Sequence, residues 1–370
     1  LSKIYQDKNL LYKIATKEDD ESLRALLRDN SMDSWVNLSL EKEPSYFSAQ
    51  NLMGESYTMV ATDTQSKKQI GMYSCSYMQM HLNGTKREVA YFGELRVDKE
   101  HRNKIRVLKN GYKSLHTLLP NRDINSLYIT SIANQNYKAR RVLEAKLKEM
   151  PRYIPLAEMS TLIFSTSFKS KNMKLQKASK KDVTRVVNFY NKCASSYQFS
   201  PYLDELWLSD LSDAKGLNIN DFYILENSNK DIEACFALWD QREFKQSVIK
   251  SYKKPLNIIR PLYNVFAKLT KRLELPKENS MLEQIYIAFL ATTNSELYLE
   301  LIQEAASLAQ DKGAKACVFG LSSKHPNLNF LKNALKANVY KTCIEMVSLQ
   351  DEVKIELNKN LLIQPEVALL

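Results

Sequence analysis

Four cations, Arg102, Lys104, Arg106 and Lys109, crowd the stretch "VDKEHRNKIRVLKNGYKSL" (residues 97–115), which reads as a strand end, a charged turn and an amphipathic helix. A helix N-terminus offers unpaired backbone N–H groups and a partial positive charge, so a strand–turn–helix is a ready seat for an anion such as a pyrophosphate. Cations there oppose the helix dipole by about 0.3–1 kcal/mol each, and a bound anion gives them a reason to stand together. A solvated charge run is the alternative reading.

The elements around this turn read as mixed α/β. Leu23, Leu26 and Leu27 give one helical face, and "SYTMVATD" and "QIGMYSCSYMQMHLNG" alternate apolar and polar residues. Asn83-Gly84 predicts a hairpin with an antiparallel strand on each side. "REVAYFGELRV" is the next strand and leads into the basic turn; Leu108, Tyr112, Leu115 and Leu119 then form one helix stripe. "SLYITSIA" is a further strand, and Ala139, Val142, Leu143 and Leu147 mark another helix.

Two halves begin and end alike. Ala15-Thr16-Lys17-Glu18-Asp19 matches Ala178-Ser179-Lys180-Lys181-Asp182, each ahead of a helical pattern. "AEMSTLIF" (Glu158, Met159, Leu162) likewise matches "IEMVSLQ" (Glu345, Met346, Leu349). A duplicated unit of single-domain size follows, with residues 1–168 and 169–370 as the two domains and the polar stretch 167–174 as the linker.

In this order of elements the basic segment resembles the acetyl-CoA loop of GNAT-type N-acetyltransferases, in which a strand ending L-x-V leads through R/Q-x-x-G-x-G/A into a helix. Leu95-Arg96-Val97 matches the strand end, and Arg102, Asn103, Lys104, Ile105, Arg106 and Val107 occupy the loop. Ile105 and Val107 stand where the family has glycines, so the loop would hold the phosphate farther away, use side chains, or not bind it. "ANQNYKARRVL" resembles the family's N-x-x-A helix entry through Asn136 and Ala139, the asparagine commonly touching the pantetheine arm.

The family's tyrosine seven residues after that asparagine, general acid to the departing thiolate, is Leu143 here, and Tyr137 is the nearby substitute. Glu94, just before Leu95, is the candidate general base; that role asks for hydrogen-bond reach to the amine or a bridging water and a pKa raised by burial. The alternative for Glu94 is a strand carboxylate paired with Arg96 or Arg87. The resemblance implies a tandem GNAT arrangement, mainly antiparallel sheets with flanking helices, and acetyl-CoA as acyl donor to a small-molecule or peptide amine.

The second half reads differently. Thr293 and Glu296 have capping-box spacing ahead of a helix, which satisfies that helix's own donors, and Glu296 would repel a pyrophosphate. Residues 245–277 carry nine Lys or Arg against the single acid Glu274, with Tyr252, Tyr263 and Phe266 between them. Pro255 and Pro261 predict an irregular insertion with a helix near 262–273. Such a segment suits an anionic membrane surface or is a solvated helical face. Trp239-Asp240-Gln241-Arg242 either lines a pocket or completes a strand core.

The 370 residues carry a formal net charge of +11, compatible with a phosphorylated cofactor, nucleic acid or an anionic membrane. No nucleic-acid module is recognisable. Cys75, Cys193, Cys235, Cys317 and Cys343 lie far apart with no C-x-x-C pair, so neither a disulfide framework nor a zinc site is expected. No apolar run approaches the roughly 18–20 residues that cross a bilayer, and the first residues lack a signal-peptide core, so a cytoplasmic location is expected. Two further readings stay open: a non-catalytic descendant of the fold that binds through its basic surface, and a tandem acyl or aminoacyl transferase acting near a membrane.

Overall fold

The computed structural model describes residues 4–31, 35–101, 105–119, 127–349 and 356–370. The first half runs β1 (Ile4–Asp7), β2 (Leu10–Ile14), α1 (Asp20–Asp29), β3 (Val36–Glu41), β4 (Ser56–Asp63), β5 (Gln69–Leu82), β6 (Thr85–Val97), α2 (Ile105–Leu118), β7 (Leu127–Ala133), α3 (Tyr137–Leu143) and β8 (Arg152–Ser165). The second runs β9 (Leu175–Lys177), α4 (Val183–Ala194), β10 (Tyr197–Gln198), α5 (Glu205–Asp210), β11 (Phe222–Glu226), β12 (Ile232–Trp239), β13 (Gln246–Tyr252), α6 (Lys254–Thr270), β14 (Ser280–Met281), β15 (Gln284–Thr292), α7 (Tyr298–Asp311), β16 (Ala316–Ser322), α8 (Leu328–Ala334), β17 (Asn338–Ser348) and β18 (Leu362–Ile363).

Local sequence explains most of these. Asn83 and Gly84 both take positive φ (52° and 79°), the twist that lets Leu82 face Thr85 across the β5–β6 hairpin. The stripe of α2 buries Tyr112, Leu115 and Leu119 against the sheet. The repeated motifs do equivalent work in each half: the Asp19 carboxylate accepts from the Thr16 backbone N–H at 2.8 Å, ahead of α1. Asp182 accepts from Ser179 N–H at 3.0 Å, ahead of α4.

Among the described residues, thirteen strands form one sheet in the order β1-β2-β4-β5-β6-β7-β17-β8-β16-β15-β12-β11-β9. Its neighbours are antiparallel except β6 with β7 and β15 with β16. The two matching end segments meet at its centre, where β17 and β8 pair with Cys343 opposite Glu158. Each closing strand has also crossed over: β17 pairs with β7 of the first half and β8 with β16 of the second. The sheet is therefore continuous from one half into the other.

A second sheet joins the halves. β3 pairs antiparallel with β13, Glu41 opposite Gln246 and Val36 opposite Tyr252, and β14 extends it. Gln246 clamps the chain after β3, its amide accepting from Glu43 N–H and donating to Glu43 C=O, both at 2.9 Å.

Two local expectations are corrected and one open alternative is resolved. α6 is a single helix from Lys254, because Pro255 stands in its first turn, where no N–H partner is needed, and Pro261 is accommodated inside. The helical start after β15 is capped by Asn294, whose side chain accepts from Glu296 N–H at 3.0 Å, rather than by Thr293. Trp239 completes the core of the second half: it is fully buried, stacks on Phe289 and donates its indole N–H to Lys215 C=O at 2.8 Å.

One buried acid carries a stability prediction. Glu345 on β17 is completely buried beside Glu144, Arg140 and Cys343, and burial, then the Glu144 charge, raises its pKa to about 7. An acid whose folded pKa lies above its unfolded value stabilises the fold only at low pH, and this contribution is lost as pH rises from about 4.5 through about 7. Glu345→Gln is expected to gain about 1–2 kcal/mol at pH 8, from removing an uncompensated buried charge, and nothing at pH 4. Denaturant melts at the two pH values check it.

Candidate active site

The strand before the basic turn is bent at one residue. Glu94 has φ +56°, unusual for a residue with a side chain, and the β5–β6 register slips between Met72 opposite Arg96 and Ser74 opposite Gly93. The bulge has a consequence on the other edge. β6 pairs with β7 from Val89 opposite Leu127 to Phe92 opposite Thr130 and no farther, although β6 continues to Val97 and β7 to Ala133. Past Phe92 the two parallel strands part, leaving a V with Glu94 just beyond its apex.

Glu94 is held by partners absent from the sequence expectation. Its carboxylate pairs with the Lys42 ammonium, which leaves β3, and accepts from the Tyr46 hydroxyl. Tyr46 is fully buried, shares a 2.8 Å hydrogen bond with Thr58 Oγ1, and has Lys42 Nζ 4.4 Å above its ring. Burial works to raise the Glu94 pKa, but Lys42, Tyr46 and Arg96 outweigh it and hold the carboxyl below its ordinary range, the reverse of the rise expected for a general base. Arg96 is thus a neighbour, as expected, while Lys42 takes the place foreseen for Arg87.

The second half adds a third cation to this cluster. Lys245, just before β13, donates to the backbone carbonyls of Ala368 at 3.4 Å and Leu370 at 2.9 Å and sits 5.9 Å from the Tyr286 ring centroid. Burial, then the Lys42 charge, lowers its pKa to about 8, with Glu94 opposing. The β3–β13 pairing brings these lysines together: Lys42 follows one strand and Lys245 precedes its partner. Tyr91 and Tyr340 stand near Glu94 and Arg96 and stay protonated because burial raises both.

The other expected residues of the basic segment fall in three groups. Leu95, Arg96, Val97 and Val107 line a narrow apolar cleft between sheet and α2, together with Tyr12, Gly71, Tyr73 and Gly111. Ile105 opens α2, and Arg106 is committed to Asp7, donating to its carboxylate and to its backbone carbonyl, both at 2.7 Å. Lys109 lies 3.5 Å from Glu149. Arg102, Asn103 and Lys104 lie outside the described residues.

Asn136 is the N-cap of α3, its side chain accepting from Ala139 N–H at 3.3 Å, so the N-x-x-A spacing serves the helix start. Tyr137 follows on the surface, 74% exposed, and is not gathered into the cluster around Glu94.

The second half repeats the V and fills it. Phe289 in β15 has φ +53°, the β12–β15 register slips there, and β15 pairs with β16 only from Gln284 to Tyr286. The tail enters the gap: the Glu366 carboxylate accepts from Phe289 N–H at 2.8 Å, and Val367 packs so tightly on Gly320 that a Cβ there would lie 2.2 Å from its Cγ1. A cleft of about 1010 Å³, counting its open mouth, remains on one side, lined by Tyr190, Tyr298, Phe319 and Glu366. Glu296 and Glu300 stand in the first turns beyond β15, where the first half has cations.

No family model matches the sequence, and the search of curated proteins finds no match. Solved structures do share the fold. Saccharomyces cerevisiae N-myristoyltransferase with bound myristoyl-CoA superposes with a TM-score of 0.63 at 12% identity, covering 94% of this chain and 84% of that one. A GCN5-related N-acetyltransferase from Sphaerobacter thermophilus superposes at 0.58 with 8% identity, covering 96% and 100%. No helix among the described residues is long and apolar enough to cross a membrane.

Proposed function

We propose that this chain, which has the GNAT-type superfamily fold, is an acyl-CoA-dependent N-acyltransferase that passes an acetyl group to a primary amine by direct attack. The observation that carries the reading is the bulge at Glu94, which parts β6 from β7 and sets a charged carboxylate just beyond the apex of the opening among Lys42, Arg96 and Lys245. The β6 edge beyond Phe92 has no ladder to β7 and suits an extended pantetheine arm. The Arg106–Asp7 pair and the side chains of Ile105 and Val107 fit a pyrophosphate less well, which leaves its binding to Arg102, Lys104 and the N–H groups opening α2.

The thioester supplies an activated acyl carbon. The amine nitrogen bonds to that carbon, the carbon–sulfur bond breaks, and the thiolate leaves. Glu94 takes the proton released by the amine, directly or through one water. Three nearby cations against one carboxylate lower the pKa of an incoming ammonium, so more of the acceptor arrives as the neutral nucleophile. The same cations stabilise negative charge on the acyl oxygen.

Residues 1–168 are the acyl-CoA-binding unit in this reading. Residues 169–370 are a second unit of the same build without a working CoA loop, its opening filled by the tail around Glu366. A donor with an acyl chain longer than acetyl is a second reading, favoured by the apolar cleft that Leu95 and Val97 line with Gly71 and Gly111.

Calorimetric titration with acetyl-CoA, longer acyl-CoAs and CoA tests both. Micromolar binding is expected, weakened about tenfold or more in Arg102→Glu/Lys104→Glu through reversed charge beside the diphosphate. Binding of none of the donors would overturn the reading; equal affinity in the variant would remove the turn from it.

A further inference from the structure

α6 carries an apolar stripe that the fold leaves uncovered. Ile258, Ile259, Leu262, Val265, Phe266 and Leu269 are each at least half exposed, Leu269 81%, and Ala267 is the one buried residue of the helix. At ~100° per residue these six fall within about 120° of the helix circumference. The opposite side holds the chain that returns from the helix. Asn264 accepts from Leu275 N–H at 2.8 Å and donates to Leu275 C=O at 2.9 Å; Arg260 donates to Pro276 C=O at 2.9 Å, and Tyr263 to Leu273 C=O at 3.3 Å. The helix is therefore fixed to the body with its apolar side outward.

The charges on the helix itself are of one sign, and Glu274, on the chain that returns from it, lies 3.8 Å from Lys268. Residues 253–272 contain Lys253, Lys254, Arg260, Lys268, Lys271 and Arg272 and no acid. Lys254 and Lys268 project along one border of the stripe by the same helical geometry, and exposed Arg272 follows just beyond the left-handed Lys271 that ends the helix. At the N-terminal end Trp35, 60% exposed, lies under Lys253, whose Nζ is 5.5 Å from its ring centroid. Trp with Lys beside an apolar helix face is the combination that settles at a lipid headgroup boundary.

We infer that α6 docks this protein on an anionic lipid bilayer, lying in the plane of the surface with Ile258, Leu262, Phe266 and Leu269 in the acyl boundary and Lys254, Lys268 and Arg272 on the headgroups. Charge complementarity selects this occupant. A second copy would set the same row of cations against itself, whereas phosphatidylserine or phosphatidylglycerol headgroups neutralise it. The inference stands apart from the acyltransferase reading, since it uses neither the opening at Glu94 nor any acyl donor.

Vesicle co-sedimentation of the full chain tests it, with phosphatidylcholine vesicles and with vesicles containing about 30% phosphatidylserine. Binding to the anionic vesicles is expected to exceed binding to the neutral ones and to fall as salt rises. Leu262→Glu/Phe266→Glu should lose it at least about tenfold, and Lys268→Glu/Arg272→Glu about 30-fold or more. Both pairs are surface changes, and an unchanged melt confirms the fold. No binding to anionic vesicles, equal binding by the apolar-stripe variant, or equal binding to neutral vesicles would overturn the inference. So would a wild-type dimer in solution that the apolar-stripe variant dissociates, which would assign the face to a second copy.

Discussion

Glu94→Gln is expected to slow acyl transfer by about 10²–10⁴-fold, the range for removal of a positioned general base, while leaving acyl-CoA affinity within about twofold. The amide keeps the size of the side chain and accepts from Tyr46, but it cannot take a proton. Because Lys42 and Tyr46 hold Glu94 below its ordinary range, the carboxylate is charged throughout neutral pH. The acid limb of the wild-type rate should then follow protonation of the acceptor amine, and Glu94 should contribute only below the usual carboxylate range. Steady-state rates against pH for both proteins, with a melt as the check on folding, decide this. Unchanged turnover in the variant would reduce Glu94 to a structural partner of Lys42.

Lys42→Met is expected to destabilise the protein by about 3 kcal/mol at pH 7, the low end for breaking a buried pair, because it leaves the Glu94 carboxylate beneath Tyr46 without its counter-ion. The side chains concerned are 12% and 23% exposed, so solvent replaces little of the lost interaction. The sign of the pH effect should reverse. In the wild type the lowered pKa makes Glu94 a source of stability that is present above its unfolded pKa and lost as pH falls through the folded one. Without Lys42 burial dominates and raises that pKa, so the deficit should shrink as the solution is acidified. Lys42→Met/Glu94→Gln should recover most of the loss, since both ends of the pair are then neutral. Urea melts of the three variants at pH 5 and pH 8 measure all of it; a double variant no better than Lys42→Met would show that the lysine acts through something other than Glu94.

The sequence spoke where structure is local. Asn83-Gly84 marked its hairpin because positive φ at both positions is a property of those residue types. The stripe through Tyr112 and Leu115 marked α2 because helical spacing and burial coincide. The Thr16–Asp19 and Ser179–Asp182 pairs were legible because each is a four-residue hydrogen-bonded unit.

The crossing of β17 and β8 was not legible, since alternation says that a strand is buried and says nothing of which strand lies beside it. The same limit hid the site. Lys42 and Lys245 are about two hundred residues apart and meet through the β3–β13 ladder, and a positive φ at a glutamate leaves no mark in residue type. Arg106 misled for the opposite reason: its place in a basic run pointed to an anion, while its partner Asp7 lies ninety-nine residues earlier. The exposed side of α6 was hidden by its prolines, which predicted a broken helix where Pro255 in the first turn permits a whole one.

Amine-dependent release of free thiol from acyl-CoA is the measurement that reaches the proposed chemistry most directly. The purified chain, incubated with acetyl-CoA and longer acyl-CoAs and a panel of primary amines, should release thiol at a rate that rises with amine concentration, with the acylated amine, detected by mass spectrometry, appearing in equal molar amount. Acyl-CoA that binds but yields no thiol and no acylated amine with any member of the panel would contradict the account and leave the opening at Glu94 as a binding site alone.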